Sequence, residues 1–409
     1  MTVAWNPEYT PDEIINKIEE TKVLDGNGNA TYQGFEHRML VAVLYSMLHF
    51  PNSISENDGR AIVQRAVFQA GTNGKLTGRS LLAEVNRLVS DTLSLPKTRF
   101  VLVTSLSISS TKSLKIVNIN GATIVFGRQG FRKYHQSREN LLNLAKDQIG
   151  NIPDQYLPVR IFVSARTIYE AVDNAFYALD LIRGIWNFLL NKPHYMRLSM
   201  GKRTPVNQIV IGPVHTLHLP NGTAAAEIWW YESRYSGDRK LFDATNLEKL
   251  YNNTTYLRKR LKQSNYPKVI ESALVNYARA LDESDWDTSF LKLWSILEQL
   301  SGFEDSYKPL IRRVSFLFSD RELSQQILKH LKDFRNSYVH HTADNSEIET
   351  YLYQLKNFVE AMIQFHLSSR FGFKSLKEAS EFLDMPTSKV MLEYRLRITK
   401  YAIDFLKLT

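Results

Sequence analysis

The chain has 409 residues, of which 44% are hydrophobic and 23% are charged, a composition typical of a globular protein with two or three domains. It contains no cysteine, which excludes disulfides, thiolate metal sites and cysteine-based catalysis. The net charge of +9 lies in residues 1–268, which hold 33 basic and 22 acidic side chains, against 18 and 20 in residues 269–409. This distribution is compatible with nucleic-acid binding and equally with a basic surface that has no partner.

Nothing in the sequence indicates a membrane segment. No apolar run approaches the roughly 18 residues of a membrane span. The N-terminus shows no basic region followed by an apolar one, so no signal peptide is apparent. We therefore expect a cytoplasmic protein without a membrane partner.

The predicted elements divide the chain into three parts. Together they predict an α+β fold that is mostly helical. Residues 1–98 are predicted to be a helical region. Residues 99–255 are predicted to form a mixed α+β domain with a sensing or RNA-binding role, because short β-branched segments alternate with turns such as NING (118–121). Residues 256–409 are predicted to be an all-α bundle.

The patterns of metal and cofactor sites are missing. The segment GTNGKLTG (71–78) has glycines that are too close for a phosphate-binding loop, and Leu76 follows Lys75 where such a loop needs Ser or Thr. His215 and His218 are three residues apart in a predicted strand and so point to opposite faces. We therefore expect no metal and no cofactor.

Two basic segments are candidates for RNA binding. In GRQGFRKYHQSR (127–138), basic side chains alternate with aromatic ones, which suits phosphate binding and base stacking. The alternative is a solvated turn. The segment YLRKRLKQSNYPK (256–268) can follow a phosphate backbone or form a charged helix between domains. The predicted RNA-binding residues are Arg128, Arg132, Lys133, Arg138, Arg258 and Arg260.

A third candidate, FRNSYVHH (334–341), ends a predicted amphipathic helix at 322–340. At about 100° per residue, the apolar side chains fall on one arc, and Arg335 projects inside this arc. A guanidinium is rarely buried unpaired, so an anion is expected to approach it. His340 precedes a turn-rich exit, near the helix C-terminus, where a protonated imidazole is favoured.

Two interpretations of this helix remain open. In the first, Arg335 pairs with a core acid such as Glu298, and His340 only ends the helix. In the second, Arg335 holds a phosphate and offsets developing charge, while His340 transfers protons. These groups are the ones needed to cleave RNA without a metal, by activating the ribose 2′-hydroxyl, stabilising the phosphorane and protonating the leaving oxygen.

The sequence RNSYVH (335–340) resembles the Arg-x4–6-His motif of HEPN domains, including the polar residue directly after the arginine. Together with LVNYARALDESDWDTSFLKLWSILEQLSGF (274–303) and the long helix after the motif, residues 266–371 resemble the Apea-like HEPN subgroup. The resemblance implies a C-terminal HEPN-like bundle and a metal-independent endoribonuclease, often a bacterial toxin or antiphage defence effector. It implies catalytic roles for Arg335 and His340 with support from Asn336. Further supporting residues are Glu298, which is placed to orient Arg335, His341 as an additional imidazole, and Tyr338.

The resemblance also implies a homodimer in which the motifs of two protomers face one cleft. Arg335 and His340 diverge by about 140° on one helix, so a single helix does not aim both at one phosphate. Two such helices related by a two-fold axis can place both pairs around one substrate. The expected partners are RNA, a second copy bound through the HEPN-like domain, and an antitoxin or a phage-derived trigger. Two alternatives remain open: a non-catalytic HEPN-type module that dimerises or binds nucleic acid, and an RNA-binding scaffold unrelated to HEPN proteins.

Overall fold

A computed structural model of the protein describes residues 2–26, 30–32, 35–109, 116–144, 152–191, 203–232, 235, 241–243, 247–340, 347–368 and 370–407. Of these described residues, 59% are helical and 15% lie in strands, which confirms the predicted mostly helical α+β class. The helices are α1 (Asp12–Glu20), α2 (Phe35–Ser46), α3 (Glu56–Thr72), α4 (Gly78–Ser94), α5 (Arg132–Leu144), α6 (Ile168–Asn191), α7 (Leu247–Gln263), α8 (Pro267–Leu281), α9 (Trp286–Ser301), α10 (Tyr307–Ser315), α11 (Arg321–His340), α12 (Ile348–Ser368), α13 (Leu376–Leu383) and α14 (Lys389–Phe405). The strands are β1 (Ala4–Trp5), β2 (Lys22–Leu24), β3 (Ala30–Tyr32), β4 (Leu48–His49), β5 (Thr98–Leu106), β6 (Ile108–Ser109), β7 (Val117–Ile119), β8 (Ala122–Phe126), β9 (Leu157–Ala165), β10 (Val214–His218), β11 (Ala224–Tyr231) and β12 (Phe242–Asp243).

The N-terminal helices α1–α4 enclose a hydrophobic core of their own. Ile18, Leu44, Val63 and Leu81 are fully buried there, one from each helix. Two small antiparallel pairs, β1 with β4 and β2 with β3, accompany the helices. The sequence did not predict these strands, because two or three residues are too few to show an alternating pattern.

A six-stranded antiparallel sheet occupies the middle of the chain, in the order β11-β10-β5-β9-β8-β7. Its central strands β5 and β9 pair over nine residues each, and most of their side chains are buried. The predicted NING turn is confirmed, because Asn120 and Gly121 adopt positive φ angles of 47° and 76° between β7 and β8. Two residues with positive φ give the tight hairpin that matches strand twist.

Helix α6 covers this sheet and joins it to the C-terminal helices. Arg183 on α6 is fully buried and pairs with Asp180, at 2.7 Å, and with Asp282, which directly follows α8. Asp180 also accepts a hydrogen bond of 2.7 Å from Arg279 on α8. A buried charge is tolerated when it is paired in this way, so the network fixes α6 against α8.

The C-terminal helices share one continuous core with the sheet and α6. The predicted boundary between residues 255 and 256 lies inside α7, so the two predicted domains pack as neighbours without a linker at that position. Helix α9 lies against both α8 and α12, and its side chains Phe290, Leu293 and Leu297 are fully buried. Among the described helices, none has the length and apolar character required to span a membrane.

Candidate functional site

Helix α11 carries the predicted site, and its apolar face fixes how it lies in the bundle. Leu328 and Leu331 are fully buried. The ring of Phe334 contacts Phe290 of α9 and Tyr351 of α12, with centroids 4.9 Å apart in both pairs. The predicted core face is therefore confirmed for these three residues, and it sets the direction of Arg335 one position further on.

Arg335 is half-buried and contacts Tyr307, the first residue of α10. Its guanidinium carbon lies 5.8 Å from the centre of the Tyr307 ring, a distance suited to a cation–π interaction. Its Nη1 donates a hydrogen bond of 3.3 Å to Oδ1 of Asn336. Among the described residues, no carboxylate lies within 4.0 Å of the guanidinium. The charge of Arg335 is thus held by an aromatic face and an amide, and it remains open to an external anion.

Glu298 on α9 reaches this site through Tyr307. Its Oε1 accepts hydrogen bonds from Nε1 of Trp294, at 2.9 Å, and from the Tyr307 hydroxyl, at 3.0 Å. Burial raises the pKa of Tyr307, the bond to Glu298 raises it further, and the nearby Arg335 lowers it. Tyr307 therefore contacts both Glu298 and Arg335, and Glu298 can hold the ring on which the guanidinium rests.

The end of α9 places Tyr307 at this point. Gly302, with φ of 62°, ends α9 in the left-handed conformation that glycine adopts without strain. Arg313 of α10 donates to the carbonyl oxygens of Ser301 and Gly302, at 2.7 and 2.9 Å. Ser306 caps the start of α10 by accepting from the backbone of Lys308, at 3.4 Å. These contacts hold α10 against the end of α9.

A basic groove, here called the α10–α11 groove, lies beside Tyr307. It has a volume of about 630 Å³, and four of its nine lining residues are basic while none is acidic. Its lining residues are Ser306, Tyr307, Lys308, Pro309, Ile311, Arg312, Gln325, Lys329 and Lys332. On α11, Lys329 and Lys332 precede Arg335 at three-residue spacing, so the three cations lie on successive turns.

The cations of the groove differ in their partners. Lys332 pairs with Asp333 at 2.9 Å, and Arg312 pairs with Asp384. Lys308 and Lys329 are exposed, and within the described part of the chain neither has a carboxylate at ion-pair distance. These two lysines are therefore the groove's most available contacts for an anionic ligand.

The remaining residues of the motif lie at the limit of what the structure describes. Helix α11 is described as far as His340, and the predicted exit that follows lies outside the described residues. The side chains of Tyr338 and His340 are outside the described part of the structure, and His341 lies outside the described residues altogether. The helical backbone continues without interruption from Arg335 to His340.

The predicted RNA-binding segment 127–138 is only partly on the surface. Arg138 is buried, with 8% of its surface exposed, and it donates to the carbonyl oxygens of Val103 and Val214 and to the Thr216 hydroxyl. Burial lowers its pKa to about 10. Its prediction as an RNA contact is corrected, because the side chain ties α5 to the sheet.

The rest of that segment divides in the same way. Arg128, Arg132 and Lys133 are exposed, so the structure leaves them accessible. Tyr134 is buried, with 3% of its surface exposed, and cannot stack on a base. Of the three rings in the segment, Phe131 is half-buried and only the imidazole of His135 is exposed beside these cations. The exposed part of the segment is therefore chiefly a phosphate-binding surface.

Two further predicted contacts bond to the protein itself. Arg258 is half-buried and donates to the carbonyl oxygen of Asn118 in the hairpin strand β7. Arg260 donates to the carbonyl oxygen of Leu367 on α12, at 3.4 Å. Both residues therefore join α7 to its neighbours. Among the α7 cations whose side chains the structure describes, Lys259 and Lys262 are exposed.

The sequence did not indicate Tyr307 or the α10–α11 groove. The only signal is the basic character of YKPLIRRV (307–314), which becomes a site when α11 adds its lysines from about 20 residues further along the chain. Within the described residues, no group of three or more histidine, aspartate or glutamate side chains is placed to hold a metal ion. Comparison of the chain with protein-family models, with curated proteins and with solved structures finds no match in any of the three.

Proposed function

We propose that this protein is a metal-independent endoribonuclease of the HEPN type, acting in bacterial defence or as a toxin. The observation that carries the proposal is Arg335: a half-buried cation without a carboxylate partner among the described residues, beside a basic groove. A protein seldom leaves such a charge uncompensated, and a phosphodiester fits both the charge and the fork of the guanidinium. The Arg-x4-His pattern of the sequence supports the same chemistry.

The proposed reaction assigns one role to each group. Arg335 holds the non-bridging oxygens of the scissile phosphate and offsets the charge that grows on the phosphorane. Asn336 accepts from Arg335 and limits its rotamers. One His340 removes the proton of the ribose 2′-hydroxyl, and the His340 of a second copy across the dimer protonates the leaving 5′-oxygen.

The groove supplies the track for the rest of the strand. Lys329 and Lys332 lie on the turns of α11 that precede Arg335, and Lys308 faces them from the start of α10. Phosphates on one side of the scissile bond can bind along these cations. Single-stranded RNA fits this arrangement, since phosphate contacts made by lysines carry no sequence preference of their own.

The proposal is tested with the purified full chain and end-labelled single-stranded RNA, with and without EDTA. We expect cleavage in both conditions and products that end in 2′,3′-cyclic phosphate. The Arg335→Ala and His340→Ala variants should each lose about 10²–10³-fold in cleavage rate, the effect of removing one stabilising group from a transition state. Arg335→Lys should recover little, because an ammonium cannot replace a bidentate guanidinium.

The chain offers a matched control for Arg335. Arg321 lies on the same helix, and its guanidinium carbon is also 5.8 Å from an aromatic ring, that of Phe316. Arg321→Ala removes an equivalent arginine–aromatic contact at the other end of α11 and should leave cleavage unchanged. Cleavage that stops in EDTA, or that Arg335→Ala leaves intact, contradicts the proposed mechanism.

The basic groove also fits a second function, that of a HEPN-type module that binds RNA and does not cut it. Its cations can hold phosphates without any proton-transfer group. RNA that is retarded on a gel by the full chain, remains intact after long incubation and is released by Lys308→Gln with Lys329→Gln would favour this function over the nuclease.

A further inference from the structure

No element among the described residues covers helix α14. Every residue of α14 is exposed, and its ion pair and its cation–π contact lie within the helix. Its described side-chain contact with the preceding part of the chain is a 3.6 Å approach of Arg395 to the sulfur of Met385. This helix has 17 residues, and most of the stability of protein helices comes from the packing of one amphipathic face. A surface from outside the described part of the chain would stabilise this helix by covering one of its faces.

The apolar side chains of α14 have the spacing of a coiled-coil seam. They recur at intervals of three, four, three and four residues, the repeat that keeps one stripe facing a partner helix. The opposite side carries only Leu392, Leu396 and Ile403, at intervals of four and seven. The seam residues, with their exposed fractions, are Met391 (48%), Tyr394 (49%), Ile398 (42%), Tyr401 (62%) and Phe405 (86%).

The exposed area is close to what a stable dimer needs. At about 200 Å² for a whole aromatic side chain, Tyr394, Tyr401 and Phe405 together expose on the order of 400 Å² per copy. In two copies, the exposed area of these rings alone amounts to about half of the roughly 1,600 Å² that a standard interface buries. The exposed Met391 and Ile398 add to that area.

We propose that α14 pairs with α14 of a second copy of this chain, antiparallel and about a two-fold axis between residues 399 and 400. In this register the seam forms self-consistent layers, with Tyr394 opposite Phe405 of the second copy and Ile398 opposite its Tyr401. The proposed nuclease already uses a second copy, and the inference adds the contact that joins the two copies, which is argued from α14 alone. It is therefore tested without RNA.

Charge complementarity selects the second copy and the antiparallel direction. In this register the flanking positions place Arg397 opposite Asp404 of the second copy, and the two-fold axis produces the same pair again. A parallel pairing puts Arg397 opposite Ala402 and leaves Asp404 without a cation. The helix thus satisfies its own flanking charges when it meets a copy of itself.

The first test is the mass of the full chain in solution, by light scattering and sedimentation. We expect a dimer of twice the 47.3 kDa chain at micromolar concentration. Replacing Ile398 and Tyr401 by Glu places charges in the seam and should weaken the dimer at least about 100-fold. Replacing Leu392 and Leu396 by Glu makes the same change on the opposite face and should leave the dimer intact. Unchanged circular dichroism shows that the bundle remains folded.

The second test determines whether the two α14 helices pair antiparallel or parallel. The chain has no cysteine, so each introduced cysteine is the only one that can form a disulfide. Arg397→Cys and Asp404→Cys are prepared separately and oxidised alone and as an equimolar mixture. We expect a disulfide-linked dimer in the mixture and little in either variant alone. A wild-type chain that stays monomeric, or a dimer that the seam variant leaves intact, would overturn the proposal. Seam and control variants that weaken the dimer equally, or disulfides in the single variants but not in the mixture, would also overturn it.

Discussion

Replacing Lys308 and Lys329 by Gln tests whether RNA binds in the α10–α11 groove. Both side chains are exposed and lack an ion-pair partner among the described residues, whereas Lys332 and Arg312 are already paired with acids. The double substitution therefore removes the two cations that are most available to a phosphate. Glutamine keeps the size and polarity of the side chain, so the folded state should change little.

The magnitude follows from counterion release. Each phosphate contact on a single strand contributes about 0.7 to the slope of log affinity against log salt, so two contacts contribute about 1.4. If this contribution vanishes near 1 M salt, the variant should bind about 70-fold more weakly at 50 mM and about 10-fold more weakly at 200 mM. A difference in affinity between parent and variant that shrinks as salt rises indicates lost phosphate contacts. A general loss of folding would weaken binding equally at every salt concentration.

The assay is fluorescence anisotropy with a labelled single-stranded RNA between 50 and 200 mM salt. All chains carry His340→Ala, so that cleavage does not consume the probe. A variant with Lys259 and Lys262 replaced by Gln is the matched control, since both lysines are exposed on α7. We expect the control to keep the slope of the parent chain. The reasoning fails if the groove variant keeps the parent slope. A reduced slope in the α7 control would instead indicate that the RNA binds along α7.

Two further predictions concern the fold that positions the site. Gly184→Ala places a methyl group 2.2 Å from the carbonyl oxygen of Leu274, so α6 and α8 must separate, and urea unfolding should show a loss of about 1–3 kcal/mol. Burial lowers the pKa of His366 to about 4, against roughly 6.5 in the unfolded chain, so protonation favours unfolding as the pH falls through this window. Stability should drop by about 2 kcal/mol between pH 7 and pH 5 from this residue, and His366→Gln should remove that part of the pH dependence while the exposed His135→Gln should not.

The features that the sequence predicted are those determined by neighbours along the chain. The Asn120–Gly121 turn and the apolar face of α11 each depend on a local pattern, and the structure has both. Arg138 shows the limit of such patterns. Its segment displays charge and aromatic residues, but its burial is decided by β5 and β10, which come from positions far away in the sequence.

The candidate site shows the same limit. Arg335 is conspicuous in the sequence because it occupies a position where the apolar stripe predicts a hydrophobic residue. Its neighbour Tyr307 comes from another helix, and the contact exists only because Gly302 and Arg313 fix α10 at the end of α9. Glu298 was expected to orient Arg335, and the hydroxyl of Tyr307 supplies a route for that effect which no spacing rule could reveal.

The charges of α11 carry one more consequence for function. Lys329, Lys332 and Arg335 lie on successive turns of one helix, where like charges destabilise by about 0.2–0.5 kcal/mol per pair. Asp333 offsets the charge of Lys332, and among the described residues no acid offsets that of Arg335. An anion in the groove would relieve this repulsion and fill the site at the same time, so RNA binding should stabilise α11. Since Arg335 and His340 diverge on that helix, the proposed mechanism requires a second copy for one RNA to reach both groups. The exposed seam of α14 offers a contact that can bring that copy.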